Sequence, residues 1–269
     1  MTYTPKRWIG LGLSAALLGS TALAACGGPG SEPVKADPPA PKLAGAPASM
    51  AGEGGEGGEG GGEGGASAGH ADMQTLPVDR RIAFMSGHVA AGLALYRAGA
   101  PDQAAPHLLH PVSETHAAER AGIDALGFDA AIFENVSAAL DEGKSAAEIA
   151  PQLDAAEANI SLLQENANAD PVGQIDFLMD TCIDEYKIGV VNGVIDNAGE
   201  YQDAYGFSVV ARDIAKRLGT PESEPLVMEL ELLVRMWPAN GPLADSTPAP
   251  VSEIAAQVSR VKLELSDLR

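Results

Sequence analysis

The sequence predicts an all-α protein: an antiparallel helical bundle built from helical hairpins and preceded by a disordered linker. From residue 75 onward, apolar side chains recur every three or four positions, which is the spacing that buries one face of a helix. Glycine and proline punctuate these segments, and stretches of alternating polar and apolar residues, which would indicate strands, are few. Residues 75–269 are long enough to form one hydrophobic core.

The individual helices have recognisable ends. The first ends before Gly99 and Pro101. Its apolar face comprises Ile82, Met85, Val89, Leu93 and Tyr96. Ser145 and Glu148 have the spacing of a capping box, which predicts the start of a later helix. By the same signals, further helices are predicted at 129–141, 145–166, 171–191, 198–218, 220–237 and 251–268.

The first 25 residues have the composition of a secretory signal peptide. Two basic residues precede an apolar stretch at 8–18, which is shorter than the roughly 20 residues that a permanent transmembrane helix requires. Residues 23–26, Leu-Ala-Ala-Cys, resemble the bacterial lipobox. The resemblance implies a lipoprotein whose Cys26 carries the lipid anchor, and Gly27-Gly28 favours the outer membrane, facing the periplasm. The alternative is an ordinary signal peptide followed by a chance cysteine.

Residues 26–74 are predicted to be a disordered linker between the anchor and the helical domain at 75–269. They are rich in Gly, Glu, Pro and Ala, with Gly-Glu-Gly repeats between 52 and 65. Such a composition buries too little apolar surface to offset the entropy cost of ordering its backbone. The repeats either bind cations weakly or act only as a spacer.

The charge of the chain excludes one class of partner. Its formal net charge is −20, which repels nucleic acid and anionic lipid surfaces. The expected membrane association is therefore through the lipid anchor, and no nucleic acid partner is expected.

Histidines are grouped in the sequence, and this grouping predicts a metal site. His107 and His110 are three residues apart, which places them on one helix face. His88 lies on the preceding helix and can face them because the chain reverses at 99–101. With Glu114 and His116, this set offers the imidazole and carboxylate ligands that iron, copper and zinc prefer. The expected ligand is one of these ions or haem; the alternative is that the histidines cap helices or pack half-buried.

A second candidate set carries oxygen donors. Glu185, Glu200, Tyr201 and Asp203 offer carboxylates and a phenol, which suit ferric iron or calcium. The alternative is a solvated helical face whose acidic residues complement the helix dipole.

Residues 185–207 resemble a known family. The run from Glu185-Tyr186 through Asn192-Gly193-Val194 to Glu200-Tyr201 looks like a helical hairpin of the periplasmic extensions of bacterial iron permeases. It is also similar in style to imelysin-like periplasmic proteins, although Gly87-His88 is not followed by the glutamate of their motif. The resemblance implies iron or haem handling, with an envelope metal transporter as a partner.

These observations favour a periplasm-facing lipoprotein that binds a transition-metal ion or haem for uptake or homeostasis. The sequence contains no nucleophile elbow and no phosphate-binding loop, so no enzyme activity is expected. Two alternatives stay open: a structural or interaction lipoprotein of the envelope that binds no metal, and a metal-dependent oxidase or hydrolase.

Overall fold

The computed structural model of the chain describes residues 76–113 and 117–269. The predicted signal peptide, the lipidation site Cys26, the linker and two candidate ligands, Glu114 and His116, lie outside the described residues. Those predictions therefore stay predictions.

Within the described residues the fold is all-α, as predicted. The helices are α1 (Val78–Arg97), α2 (Pro101–Ser113), α3 (Ala117–Asp124), α4 (Ala130–Asp141), α5 (Ala146–Asn166), α6 (Pro171–Gly189), α7 (Ala198–Leu218), α8 (Glu224–Val234) and α9 (Val251–Ser266). A small antiparallel hairpin, β1 (Val190–Val191) and β2 (Val194–Ile195), joins α6 to α7. A 3-10 turn at Pro221–Ser223 precedes α8. None of the described helices combines the length and apolarity needed to cross a bilayer.

The local signals in the sequence explain where several helices begin and end. Before α5, the Glu148 carboxylate accepts hydrogen bonds from the backbone N–H of Ser145 at 3.1 Å and from its hydroxyl at 2.6 Å, which confirms the capping box. Helix α7 begins after Asn197, whose side chain accepts from the first backbone N–H groups. It ends at Gly219, which has φ 63°, a left-handed conformation that glycine adopts without strain.

Helix α6 is shorter than predicted. It ends at Gly189, because the two valines that follow pair with β2 instead of continuing the helix. The connecting turn has Asn192 at φ 54° and Gly193 at φ 79°, and a tight hairpin turn favours these two residues in that conformation. Helix α3 had no predicted counterpart in the sequence.

Helix α1 lies between two hydrophobic clusters. On one side, Ala83 and Phe84 join a cluster formed mainly by α6, α7, α8 and α9. On the other, Ile82, Met85 and Val89 join a cluster formed with α2, α4 and α5. A helix that is buried on both sides fixes the position of whatever polar side chains it carries.

Helices α1 and α7 cross at very short range. A Cβ atom added at Gly206 would overlap the carbonyl oxygen of Gly87, and one added at Gly87 would overlap the ring of Phe207. Only a residue without a side chain fits at either position, so the two glycines set the spacing between the helices. His88 and Asp203 lie next to this crossing, on α1 and α7 respectively.

We predict that Gly206→Ala lowers the free energy of unfolding by about 1–3 kcal/mol, because the added methyl group forces α1 and α7 apart. Chemical denaturation monitored by circular dichroism measures the change. The matched control is Gly122→Ala in α3, where the new methyl would meet the side chain of Val78 at 3.2 Å. We expect this control to stay within about 0.5 kcal/mol of the unsubstituted protein. Equal effects of the two substitutions would contradict the importance of the crossing.

Candidate metal centre

Three histidines from two helices converge on one aspartate from a third. Nδ1 of His88 on α1 lies 2.7 Å from Oδ1 of Asp203 on α7, and Nδ1 of His107 on α2 lies 2.8 Å from the same oxygen. Nδ1 of His110, one turn further along α2, lies 3.0 Å from Nδ1 of His88 and 3.9 Å from Oδ2 of Asp203. The donor atoms of these four residues all lie within 4.8 Å of one another, and we call them the donor cluster.

The donor cluster is enclosed. His88, His107 and Asp203 are 3%, 2% and 4% exposed, and His110 is partly buried. The ring of His88 makes edge contacts with Phe84 and Phe207 at centroid distances of 4.5 and 5.4 Å. These apolar walls exclude water from one side of the cluster, so electrostatic interactions inside it are weakly screened.

The Asp203 carboxylate is ionised despite its burial. Burial by itself acts to raise its pKa, but the positive charges of His88 and His107 and their hydrogen bonds outweigh that effect and hold the pKa well below its usual range. A buried carboxylate of this kind is stable only while cationic groups stay beside it.

The pKa of His107, the partner of Asp203, is also set by burial acting against a nearby charge and hydrogen bonds. Burial acts to lower its pKa, but the charge of Asp203 and hydrogen bonds to Asp203 and Gln202 outweigh burial, and the pKa is raised. Its Nε2 lies 2.8 Å from the amide oxygen of Gln202. Both ring nitrogens of His107 therefore have an oxygen partner.

The contacts at the centre of the cluster require a proton or a metal ion between the facing atoms. A nitrogen lone pair and a carboxylate oxygen at 2.7–2.8 Å repel unless a proton or a metal ion lies between them. The 3.0 Å approach of the His88 and His110 Nδ1 atoms likewise accommodates one proton, since two would clash. In the metal-free protein, the Nδ1 protons of His88 and His107 fill the positions beside Asp203. A metal ion that displaces them would find three imidazole nitrogens and a carboxylate oxygen already directed at one small volume.

The structure brings together three of the five residues in the first predicted ligand set. His88, His107 and His110 meet as expected from their spacing and from the chain reversal between α1 and α2. Glu114 and His116 lie outside the described residues. The fourth member of the donor cluster, Asp203, comes from the second predicted set, so residues that the sequence presented as two sites meet in one.

The other members of the second set are not part of the donor cluster. Glu185 on α6 and Glu200 on α7 are buried, at 4% and 8% exposure, but they do not belong to the donor cluster. Tyr201 is packed in the core beside Tyr186 and Trp237, at ring-centroid distances of 5.8 and 6.1 Å. Burial raises the pKa of Tyr201 to about 12, so its phenolate form is scarce at neutral pH.

Two residues at the site, Gln202 and Gln103, could not be predicted from the sequence. Gln202 contacts His107, and Gln103 contacts Gln202 with a 2.6 Å hydrogen bond. In the sequence, a glutamine that lies between helices cannot be distinguished from a glutamine on the surface. Only the tertiary structure, which brings the side chains of Gln103 and His107 on α2 within hydrogen-bond distance of Gln202 on α7, reveals its place in the site. The other cysteine of the chain, Cys182, is buried, and burial raises its pKa to about 12, as expected for a thiol in the core.

Residues 161–268 match the family model of the iron permease-associated 4-helix bundle domain, which confirms the resemblance to iron permease extensions. The matched region contains α6, α7, α8 and α9 in full, and these helices share one hydrophobic cluster. It includes Asp203 and Gln202, whereas the three histidines lie before it. Comparisons with curated proteins and with solved structures found no match.

The pKa shifts predict how the stability of the metal-free protein depends on pH. The raised pKa of His107 contributes stability that is complete below its unfolded value of about 6.5 and is lost as the pH rises through the folded value. The lowered pKa of Asp203 contributes stability that is present above about pH 3.9 and is lost in acid. We therefore expect the unfolding free energy of the metal-free protein to fall as the pH rises above about 6.5.

Asp203→Asn tests the origin of that dependence. We expect it to destabilise the metal-free protein by about 1–3 kcal/mol near pH 6 and to flatten the decline in stability at higher pH. Urea denaturation in the presence of a chelator at several pH values measures both effects. The control is Asp213→Asn on the same helix, where the aspartate is partly exposed and paired with Arg212. A decline that persists unchanged in Asp203→Asn would contradict the assignment.

Proposed function

We propose that this protein binds one divalent transition-metal ion, iron foremost, through His88, His107, His110 and Asp203, and serves metal uptake or homeostasis. The observation that carries the proposal is the convergence of three Nδ1 atoms and a carboxylate in one enclosed volume. Three imidazoles and one carboxylate form a donor set suited to iron, zinc and related first-row ions. A binding function without catalysis is the simplest role that needs this arrangement.

Iron is favoured by the match of residues 161–268 to an iron permease-associated domain. The divalent state is favoured by the donors, because ferric iron prefers anionic oxygen ligands and Tyr201 supplies none here. The side chain of Tyr201 is only 1% exposed and packs among aromatic rings.

A single ion is favoured over haem. The ring of His110 lies 4.6 Å from that of His88 and 5.2 Å from that of His107, measured between centroids. Rings that contact one another directly leave no space for a porphyrin between them, whereas an ion needs only the volume that their Nδ1 atoms enclose.

The cellular setting in this proposal comes from the sequence. The predicted signal peptide and the resemblance of residues 23–26 to a lipobox support export and anchoring through Cys26 at the outer membrane, facing the periplasm. The linker would allow the helical domain to reach an envelope metal transporter, the kind of partner that the family description supports.

One observation favours the rival interpretation, a structural or interaction lipoprotein that binds no metal. His88 and His107 already hydrogen-bond to Asp203, so protons alone can hold the cluster together. The two interpretations differ in the effect of added metal on stability. A ligand at 100 times its dissociation constant raises the unfolding free energy by about 2.7 kcal/mol, whereas a protein without a site gains nothing.

We predict that the full chain binds Fe²⁺ under anaerobic conditions, and Zn²⁺, with one ion per protein, and that His107→Ala/His110→Ala abolishes binding. Isothermal titration calorimetry and thermal unfolding with and without metal measure the two effects. The control Asp213→Asn should bind as the unsubstituted protein does. Binding that survives loss of both histidines, or a melting temperature that metal leaves unchanged, would contradict the proposal.

His116→Ala and Glu114→Ala extend the same experiment to the remaining candidates of the predicted ligand set. If either residue completes the coordination of the ion, its loss weakens metal binding by tenfold or more while the metal-free protein keeps its melting temperature. If neither does, both variants bind as the unsubstituted protein does, and the four residues of the donor cluster form the whole protein ligand set.

A further inference from the structure

We propose that Gln202 and Gln103 are positioning residues that keep the proton of His107 on Nε2 and thereby reserve Nδ1 for the metal ion. The inference deepens the proposed function and rests on it. It is carried by a line of hydrogen bonds that starts at a backbone N–H and ends at the imidazole.

The line begins in the segment between α8 and α9. The backbone N–H of Ala244 donates to the Oε1 atom of Gln103 at 3.1 Å. The Nε2 group of Gln202 donates to the same oxygen at 2.6 Å. The Oε1 atom of Gln202 then faces Nε2 of His107 at 2.8 Å.

In each of these hydrogen bonds, only one of the two groups can be the donor. A backbone N–H can only donate, so the atom of Gln103 that faces Ala244 is its oxygen. Because that oxygen also faces Gln202, the group that Gln202 presents there is its NH₂. The amide of Gln202 therefore presents its oxygen to His107, and an oxygen acceptor requires the proton of the imidazole to be on Nε2.

The opposite nitrogen is the one in the donor cluster. In a neutral imidazole with its proton on Nε2, Nδ1 carries a lone pair, and this lone pair points toward Asp203 at 2.8 Å. The position between these atoms must then hold a cation, either a second proton or a metal ion. In the other neutral tautomer, a proton on Nδ1 would block coordination.

The arrangement resembles the way that metal-binding histidines are commonly oriented. The ring nitrogen that does not bind the ion donates to an oxygen, and this fixes the tautomer and the direction of the ring. Loss of such a partner typically weakens metal affinity 10–100-fold. Here the partner is itself oriented by Gln103, so a residue whose side-chain amide hydrogen-bonds to Gln202 and Ala244, and not to a proposed metal ligand, is expected to change metal affinity.

The test compares two substitutions at Gln103. Gln103→Glu keeps an oxygen acceptor for both N–H donors, so the orientation of Gln202 is retained. Gln103→Met has a similar volume but no amide oxygen, so Gln202 is free to turn its NH₂ toward His107. The control is Gln257→Met in α9, where a buried glutamine donates to the carbonyl of Glu229 in another part of the bundle.

The full chain is labelled with ¹⁵N-histidine, and two-bond ¹H–¹⁵N correlation spectra are recorded with a chelator and with Zn²⁺; calorimetry with Zn²⁺ gives the affinity. In the unsubstituted protein, Gln103→Glu and Gln257→Met, we expect Nε2 of His107 to carry a proton both with and without zinc. In Gln103→Met we expect His107 of the metal-free protein to lose the Nε2 proton and to keep the Nδ1 proton that faces Asp203. We also expect the zinc dissociation constant to rise 10–100-fold.

The outcomes separate this inference from the proposed function. Zinc binding together with an unchanged affinity in Gln103→Met overturns the positioning role and leaves the metal site intact. A His107 proton found on Nδ1 alone in the unsubstituted, metal-free protein does the same. A His107 ring that is protonated on Nε2, in a protein that binds no metal, overturns the proposed function instead. Loss of affinity in Gln103→Glu to the same extent as in Gln103→Met would also overturn the positioning role.

Discussion

The buried charge of Asp203 is the constraint on which the rest of this site depends. A carboxylate that is 4% exposed, in a bundle with apolar walls, is tolerated only beside compensating positive charge. His88 and His107 supply that charge while they hold protons, and a metal ion would supply it if the protons were displaced. The same requirement thus accounts for the altered pKa values and for the suitability of the site for a cation.

The site also depends on how the helices are arranged around α1. This helix is buried on both sides, between the cluster that contains α6, α7, α8 and α9 and the cluster that contains α2, α4 and α5. His88 on α1 meets Asp203 from one side and His110 from the other. The match to the iron permease-associated domain covers Asp203 but none of the three histidines of the donor cluster. These histidines come from the preceding helices α1 and α2.

Much of the fold could be predicted from sequence because its helix ends are encoded locally. The capping box of Ser145 and Glu148 and the C-terminal glycine at 219 depend only on residues nearby in the sequence. The structure confirms both predicted helix ends. The grouping of His88, His107 and His110 was likewise visible, because one chain reversal suffices to bring them together. Asp203 could not be joined to them, since it lies 115 residues from His88 and its contact is created by tertiary packing. The role of Gly87 and Gly206 could not be predicted for the same reason. Each is an isolated glycine within a helix, and its close contact becomes apparent only when the position of the opposing helix is known.

The enclosure of the donor cluster has a kinetic consequence. Of the four donors, His110 has the most solvent contact, with 16% of its side chain accessible. It lies in the last turn of a helix from which Pro111 removes a backbone hydrogen bond. If the proposed function holds, an ion would reach the donor cluster past His110, and local opening at the end of α2 would speed its entry and departure. The more rarely this turn opens, the more slowly a bound ion would be released.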